Sequence, residues 1–236
     1  MLLYKIKLFE SKLNKDNSDW KNSFLFQKWE KKFLNSGCKI SDINCLGSST
    51  YGGSLKTLFL SVKFVTPENH FMERSILIRN ESVVIIPFRF LGNQPRFLCV
   101  MQRRITDGNI SIEFPAGAVD DFKSPREAAV LELYEETGLK LKQKKLISLK
   151  ENLRLSESLV DEIVHWYGCD IAMCDNKNDY MDELKIGKKK YGNMGEGEHI
   201  KIEFITLEKL KKIKSFHMRI ALSFINNELS ISCDDK

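Results

Sequence analysis

Three glutamates stand together in the middle of the chain: Glu132, Glu135 and Glu136. Helical positions four apart share a face, and positions three apart adjoin it. On a helix these carboxylates therefore crowd one patch, and each like-charged pair opposes the fold by roughly 0.2–0.5 kcal/mol. A divalent cation would remove that cost. Mg²⁺ takes oxygen ligands, keeps several waters, and is completed by substrate phosphates. The chemistry such a patch suggests is metal-assisted attack on a phosphate. The residues alone leave a second reading open, a solvated acidic helix face, which is the commoner case.

The flanking residues say what must hold this patch. Ser124-Pro125-Arg126-Glu127 has the form of a helix start, with Ser124 at the N-cap, Pro125 in the first turn and Glu127 closing a capping box. Ala128, Ala129, Leu131 and Leu133 favour helix, and Gly138 sits where a left-handed C-terminal cap belongs. The expectation is a loop from Pro115 feeding a helix of about 13 residues.

Residues 113–139, EFPAGAVDDFKSPREAAVLELYEETGL, resemble the Nudix box, G-x5-E-x7-R-E-U-x-E-E-x-G-U, where U is aliphatic. Gly117, Glu132, Leu133, Glu135, Glu136, Gly138 and Leu139 match in register. Two positions depart: Lys123 stands where the family has Glu, and Leu131 where it has Arg. Losing both partners together leaves no single charge stranded. Glu113-Phe114-Pro115-Ala116 is similar to the approach to the box in the nucleotide-sugar and ADP-ribose pyrophosphatase subgroup. So are Met101–Arg104 with Asp107-Gly108, the pair Asp161-Glu162, and Gly195–Ile202. The likeness covers about residues 74–226.

The resemblance implies a hydrolase that cuts the diphosphate bond of a nucleoside-diphosphate compound. A nucleotide sugar is the first expectation and ADP-ribose the second. A non-catalytic nucleotide- or partner-binding module is the competing class, favoured by Lys123 and Leu131. By similarity Glu132 and Glu136 would be metal ligands, with Glu135 sharing or bridging and the carbonyl of Ala116 adding an oxygen. The metal would be Mg²⁺, with Mn²⁺ as the alternative. Glu198 is the expected catalytic base, with Glu196 the alternate. Arg104 is expected to contact phosphate oxygens, unless it forms a structural ion pair, and Glu113 to help position metal or nucleotide. The resemblance further implies a homodimer and a small-molecule substrate.

Composition fits this frame. Of the 236 residues, 42% are hydrophobic and 29% charged, enough apolar residue for a real core. The net charge of +5 is spread along the chain, and the densest basic run, Lys188–Lys190, is short, so no nucleic-acid partner is expected. No apolar run approaches a bilayer-spanning length, so no membrane partner is expected either. The cysteines Cys38, Cys45, Cys99, Cys169, Cys174 and Cys233 form no C-x-x-C pair. Buried reduced thiols in a cytoplasmic protein are the expectation.

The expected fold class is α+β, an αβα sandwich of Nudix type with mixed sheets, preceded by a small antiparallel sheet. The expected division is residues 1–80, an arm and a β-rich part, and residues 81–236, the hydrolase part. A short amphipathic helix is expected over Ser23–Phe33, where Phe26, Trp29 and Phe33 have helical spacing. Strands are expected near 55–65, 74–79, 83–90, 96–102, 110–114, 162–172 and 200–205, and a helical end from Leu207 to about Asn226.

Overall fold

The computed structural model describes residues 18–51, 54–120, 123–182, 186, 191–192 and 199–229. The chain divides into two compact units. One holds residues up to Arg79 together with Ser156–Asp161, and the other holds Asn80–Leu155 and the chain from Glu162 onward.

In the first unit a helix, α1 (Phe24–Asn35), is capped by Ser23, whose hydroxyl accepts from the Phe26 amide at 3.2 Å. Three strands follow, β1 (Lys39–Tyr51), β2 (Ser54–Val65) and β3 (Phe71–Arg79), antiparallel in succession. Leu58, Leu60 and Val62 alternate inward on β2 and bury against Leu25, Phe26 and Trp29 of α1. The two-residue strand β9 (Val160–Asp161) joins the far edge, parallel to β3. Too short to show a period, it was not expected.

The second unit is built on a mixed seven-stranded sheet. Its spine runs β11 (Lys201–Thr206), β5 (Gln94–Arg103), β4 (Ser82–Leu91), β10 (Ile163–Asp170) and β8 (Ile147–Arg154). Strand β6 (Ile110–Glu113) pairs with β5, and the three-residue β7 (Ala116–Ala118) with β4. β10 lies parallel to β4; the other pairings are antiparallel.

Residues 83–86 are buried in succession, as in a strand covered on both faces. Val83 and Ile85 face the core under α2 (Pro125–Thr137), beside Ala129 and Leu133. Val84 and Ile86 face the core under α4 (Phe216–Asn227), beside Met218, Ala221 and Ile225. The expected helical end is two helices, because α3 (Leu207–Lys212) stops and α4 starts anew at Phe216. Helices on both faces of one sheet make the unit an αβα sandwich. Among the described residues no helix is long and apolar enough to cross a membrane.

Candidate active site

The site is built on α2, and every local signal for that helix is realised. Ser124 accepts from the Glu127 amide, the Glu127 carboxylate accepts from the Ser124 amide at 2.8 Å, and Pro125 is the first helical residue. Gly138 takes φ +76° at the C-terminus and its amide donates to the Tyr134 carbonyl at 2.7 Å. The cap must be glycine for a second reason: an added Cβ would run into the Tyr191 ring and the Tyr180 hydroxyl.

The helix treats its three glutamates differently. Ala129 and Leu133 are fully buried, and Glu136, one turn on, sits at the edge of the same face and is only 5% exposed. A buried carboxylate must be hydrogen-bonded, and the Ala116 amide donates to Glu136 Oε2 at 2.9 Å. Glu132 is half-buried and Glu135 is exposed.

Glu132 lies directly over Gly117. A Cβ added at Gly117 would overlap the Glu132 carboxyl group, so only glycine admits the side chain there. The backbone that receives both carboxylates is itself pinned to β4. Ala116 pairs with Val84 and Gly117 with Val83, while the Ile85 amide donates to the Pro115 carbonyl at 2.9 Å and the Val119 amide to the Glu81 carbonyl at 2.7 Å.

Two carboxylates, Glu132 and Glu136, thus meet one short backbone segment, and carboxylate oxygens are the donors a hard cation takes. The space glycine leaves at 117 is filled by one of them. This donor set suits a hard divalent cation completed by water and phosphate oxygens. The third carboxylate is not gathered in: among the described residues no three Asp, Glu, His or Cys side chains converge as a ready-made metal cluster.

The other expected residues fall as follows. Arg104 and Glu113 engage each other: Arg104 Nε donates to both Glu113 oxygens, at 2.9 and 3.1 Å, and a terminal nitrogen adds a further bond. Burial pushes the Glu113 carboxyl up, yet the hydrogen bonds and charge of Arg104, aided by Ser111 and His217, outweigh it and hold Glu113 below the usual carboxylate range. Glu198 and Glu196 lie outside the described residues, as does Lys188–Lys190.

Lys123 pairs with Asp120 at 3.1 Å across one turn of loop. Leu131 lines a cavity of about 330 Å³ on the outer side of α2, with Val130, Tyr134 and Leu141. Neither residue leaves a charge without an answer.

Residues not anticipated brace the end of α2. Tyr180 donates its hydroxyl to the Thr137 carbonyl at 2.6 Å. Asn176 donates to the Gly138 carbonyl at 3.0 Å and accepts from the Lys140 amide at 2.9 Å. Arg89 donates to the Tyr180 carbonyl at 2.5 Å and lies over the Phe204 ring. No local pattern announces these contacts, because every partner is distant in sequence. His217 packs its ring against Trp166 at 5.9 Å, and burial lowers its pKa against the opposing pull of Glu162 and Glu113.

Comparison with known proteins agrees with this geometry. The NUDIX domain profile matches residues 79–222, more than half of the chain. An RNA pyrophosphohydrolase of Vibrio cholerae is 32% identical over 90 residues, 38% of this chain and 51% of that protein. An uncharacterized Nudix hydrolase of Schizosaccharomyces pombe is 41% identical over 58 residues, 25% of this chain and 28% of that protein. The chain spans about half or less of the length of these relatives. Among solved structures, one described as an ADP compounds hydrolase superposes with a TM-score of 0.57 at 14% identity, over 82% of this chain and 94% of that one. That likeness is one of fold. The profile match, whose range includes the loop and helix that carry Glu132 and Glu136, decides the question: the chain belongs to the NUDIX domain family.

Proposed function

We propose that this chain is a divalent-metal-dependent hydrolase of the diphosphate bond in a nucleoside-diphosphate sugar, releasing a nucleoside monophosphate and a sugar 1-phosphate. The observation that carries the reading is the double seating of Glu136 on the Ala116 amide and Glu132 over Gly117. A buried carboxylate and a half-buried one on a single glycine-shaped segment fit a hard cation and its phosphate ligands better than they fit a solvated acidic face.

In this reading Glu132, Glu136 and the Ala116 carbonyl would hold the metal, and Glu135, exposed next to Glu136 in the chain, would turn in to share it. Such a cation, Mg²⁺ or Mn²⁺, would supply charge neutralisation for the diphosphate and a more acidic water. The chain's own part is placement. The Ala116 amide fixes Glu136 in orientation, and Gly117 lets Glu132 reach the same segment. Glu198 accepts the proton of the attacking water. Glu113 holds the Arg104 guanidinium, which is partly exposed, in a fixed orientation, and a planar guanidinium so oriented is suited to phosphate oxygens.

The relatives differ in what their names describe, ADP compounds in one case and RNA in the other. The test is therefore a substrate panel of ADP-glucose, UDP-glucose, ADP-ribose and 5′-triphosphorylated RNA, run with Mg²⁺, with EDTA and with Glu136→Gln. Metal-dependent release of nucleoside monophosphate from the sugar nucleotides, lost in the variant, is the expected result. Preference for ADP-ribose would move the substrate within the same machinery. No turnover of any substrate with any divalent metal would overturn the enzyme in favour of a binding module. A homodimer belongs to the same reading, and a monomer by sedimentation at micromolar concentration would remove it.

A further inference from the structure

Cys169 and Cys174 play no part in the site described above. Cys169 is the penultimate residue of β10, and Cys174 follows a short 3-10 turn, Ile171–Met173. Both are buried, and their sulfur atoms lie 3.7 Å apart, in hydrogen-bond contact. Bonded sulfurs sit about 2.0 Å apart, so closure requires an approach of under 2 Å within a six-residue stretch that already turns back on itself. Of the other described thiols, Cys38 and Cys45 are accessible, and Cys99 is buried in the other core of the same unit, apart from this pair.

We propose that Cys169 and Cys174 are an oxidation site, closing to an intramolecular disulfide with a small peroxide as oxidant. The Cys174 thiolate attacks a peroxide oxygen and breaks the O–O bond, leaving Cys174 as the sulfenic acid, and hydroxide departs to become water. The Cys169 sulfur then attacks the Cys174 sulfur. The S–O bond breaks, and the departing hydroxide takes the Cys169 proton as a second water. Two thiols are oxidised by two electrons and one peroxide is reduced. Cys174 is the attacking partner because it is the less buried of the two, 3% exposed against 0%, and adjoins Asp175, which lines the cavity beside α2.

The position gives the bond a consequence. Cys174 leads into Asp175 and Asn176, and Asp175 donates its amide to the Lys140 carbonyl at 2.9 Å while Asn176 grips Gly138 and Lys140. The disulfide would tie this brace of α2 covalently to β10. Asp175 and Lys140 also line the 330 Å³ cavity beside α2, which brings solvent up to the segment that follows Cys174.

The experiment treats the full chain with substoichiometric to equimolar hydrogen peroxide, blocks remaining thiols with an alkylating agent, and maps peptides by mass. The expected result is a linked peptide joining residues 169 and 174, about 2 Da lighter than the reduced form, that dithiothreitol restores. In Cys169→Ser the link is absent and Cys174 is trapped as the sulfenic acid. Full alkylation of both residues after treatment overturns the proposal, as does oxidation confined to Cys38 and Cys45. The wild-type map decides even if the variant does not fold, and no arm depends on catalytic activity.

Discussion

Tyr180 donates its hydroxyl to the carbonyl of Thr137 at 2.6 Å across 43 residues of chain. Thr137 is the last residue of α2 and fully buried, so its carbonyl has no access to water. Burial, reinforced by Tyr191 nearby, pushes the Tyr180 phenol well above its usual range, and it stays a donor throughout the range of ordinary experiments. Tyr180→Phe strands the Thr137 carbonyl and is expected to cost about 1–3 kcal/mol. Urea denaturation of the two proteins measures it. A difference within error would mean the Thr137 carbonyl finds another donor.

Gly117→Ala puts a methyl group where the Glu132 carboxyl now lies. The fold can expel Glu132 into solvent, so the expected loss of stability is modest, about 1–3 kcal/mol. The expected loss of metal-dependent hydrolysis is larger, at least ~100-fold, because a misplaced ligand ought to cost no less than a lost supporting residue. Steady-state kinetics beside a thermal melt separates the two effects. Retained activity in a folded variant would remove Glu132 from the metal.

Glu136→Gln is a sharper test of charge. The amide oxygen of Gln still accepts from the Ala116 amide, so the loop keeps its anchor. Stability is expected to hold or rise slightly, since a buried charge has gone. Hydrolysis is expected to fall by at least ~100-fold. Isothermal titration with Mn²⁺ gives the independent reading, with weakened binding in the variant.

Much of this site is legible along the chain, for a physical reason. The Ser124 box, Pro125 and Gly138 act over three or four residues, so the limits of α2 follow from local chemistry alone. The alternation of Leu58, Leu60 and Val62 on β2 is equally local. Strand β8 escaped because its sequence, ISLKENLR, is mostly polar and its pairing with β10 shifts register twice, once around Asn152, which takes φ +59°, and again between Lys150 and Ser148. β7 escaped because three residues cannot show a period, and it is the strand that carries Ala116 and Gly117. The seating of Glu132 over Gly117, the pairing of Arg104 with Glu113 and the brace from Tyr180 are products of chain crossing, and no window of sequence contains them.

The Arg104–Glu113 pair carries a pH signature. The folded state holds Glu113 below its ordinary value near 4.5, so the unfolded chain takes up the proton first as pH falls. The pair's contribution is therefore full above about pH 4.5 and is lost as pH drops through the lower folded value. Wild type is expected to exceed Glu113→Gln in stability at pH 6, with the gap closing below pH 4.5. Denaturant midpoints of both proteins at several pH values test this. A gap constant with pH would show that packing, not charge, sets the difference.

The chain leaves the first unit after Arg79 and returns for six residues, Ser156–Asp161, before resuming the second. In that visit Leu159 accepts a hydrogen bond from the Leu77 amide, and Asp161 forms an ion pair with Lys32. A gene fragment ending at residue 79 would therefore encode a sheet with its last strand missing. The bare edge of β3 at Leu77 and Ile78 would be left to recruit strands from other copies. The peptide bond joining Asp161 to Glu162 marks the second frontier, where one carboxylate answers to Lys32 and its immediate neighbour to the interior of the other unit. Neither unit is one continuous stretch of chain, so no single cut releases either of them whole.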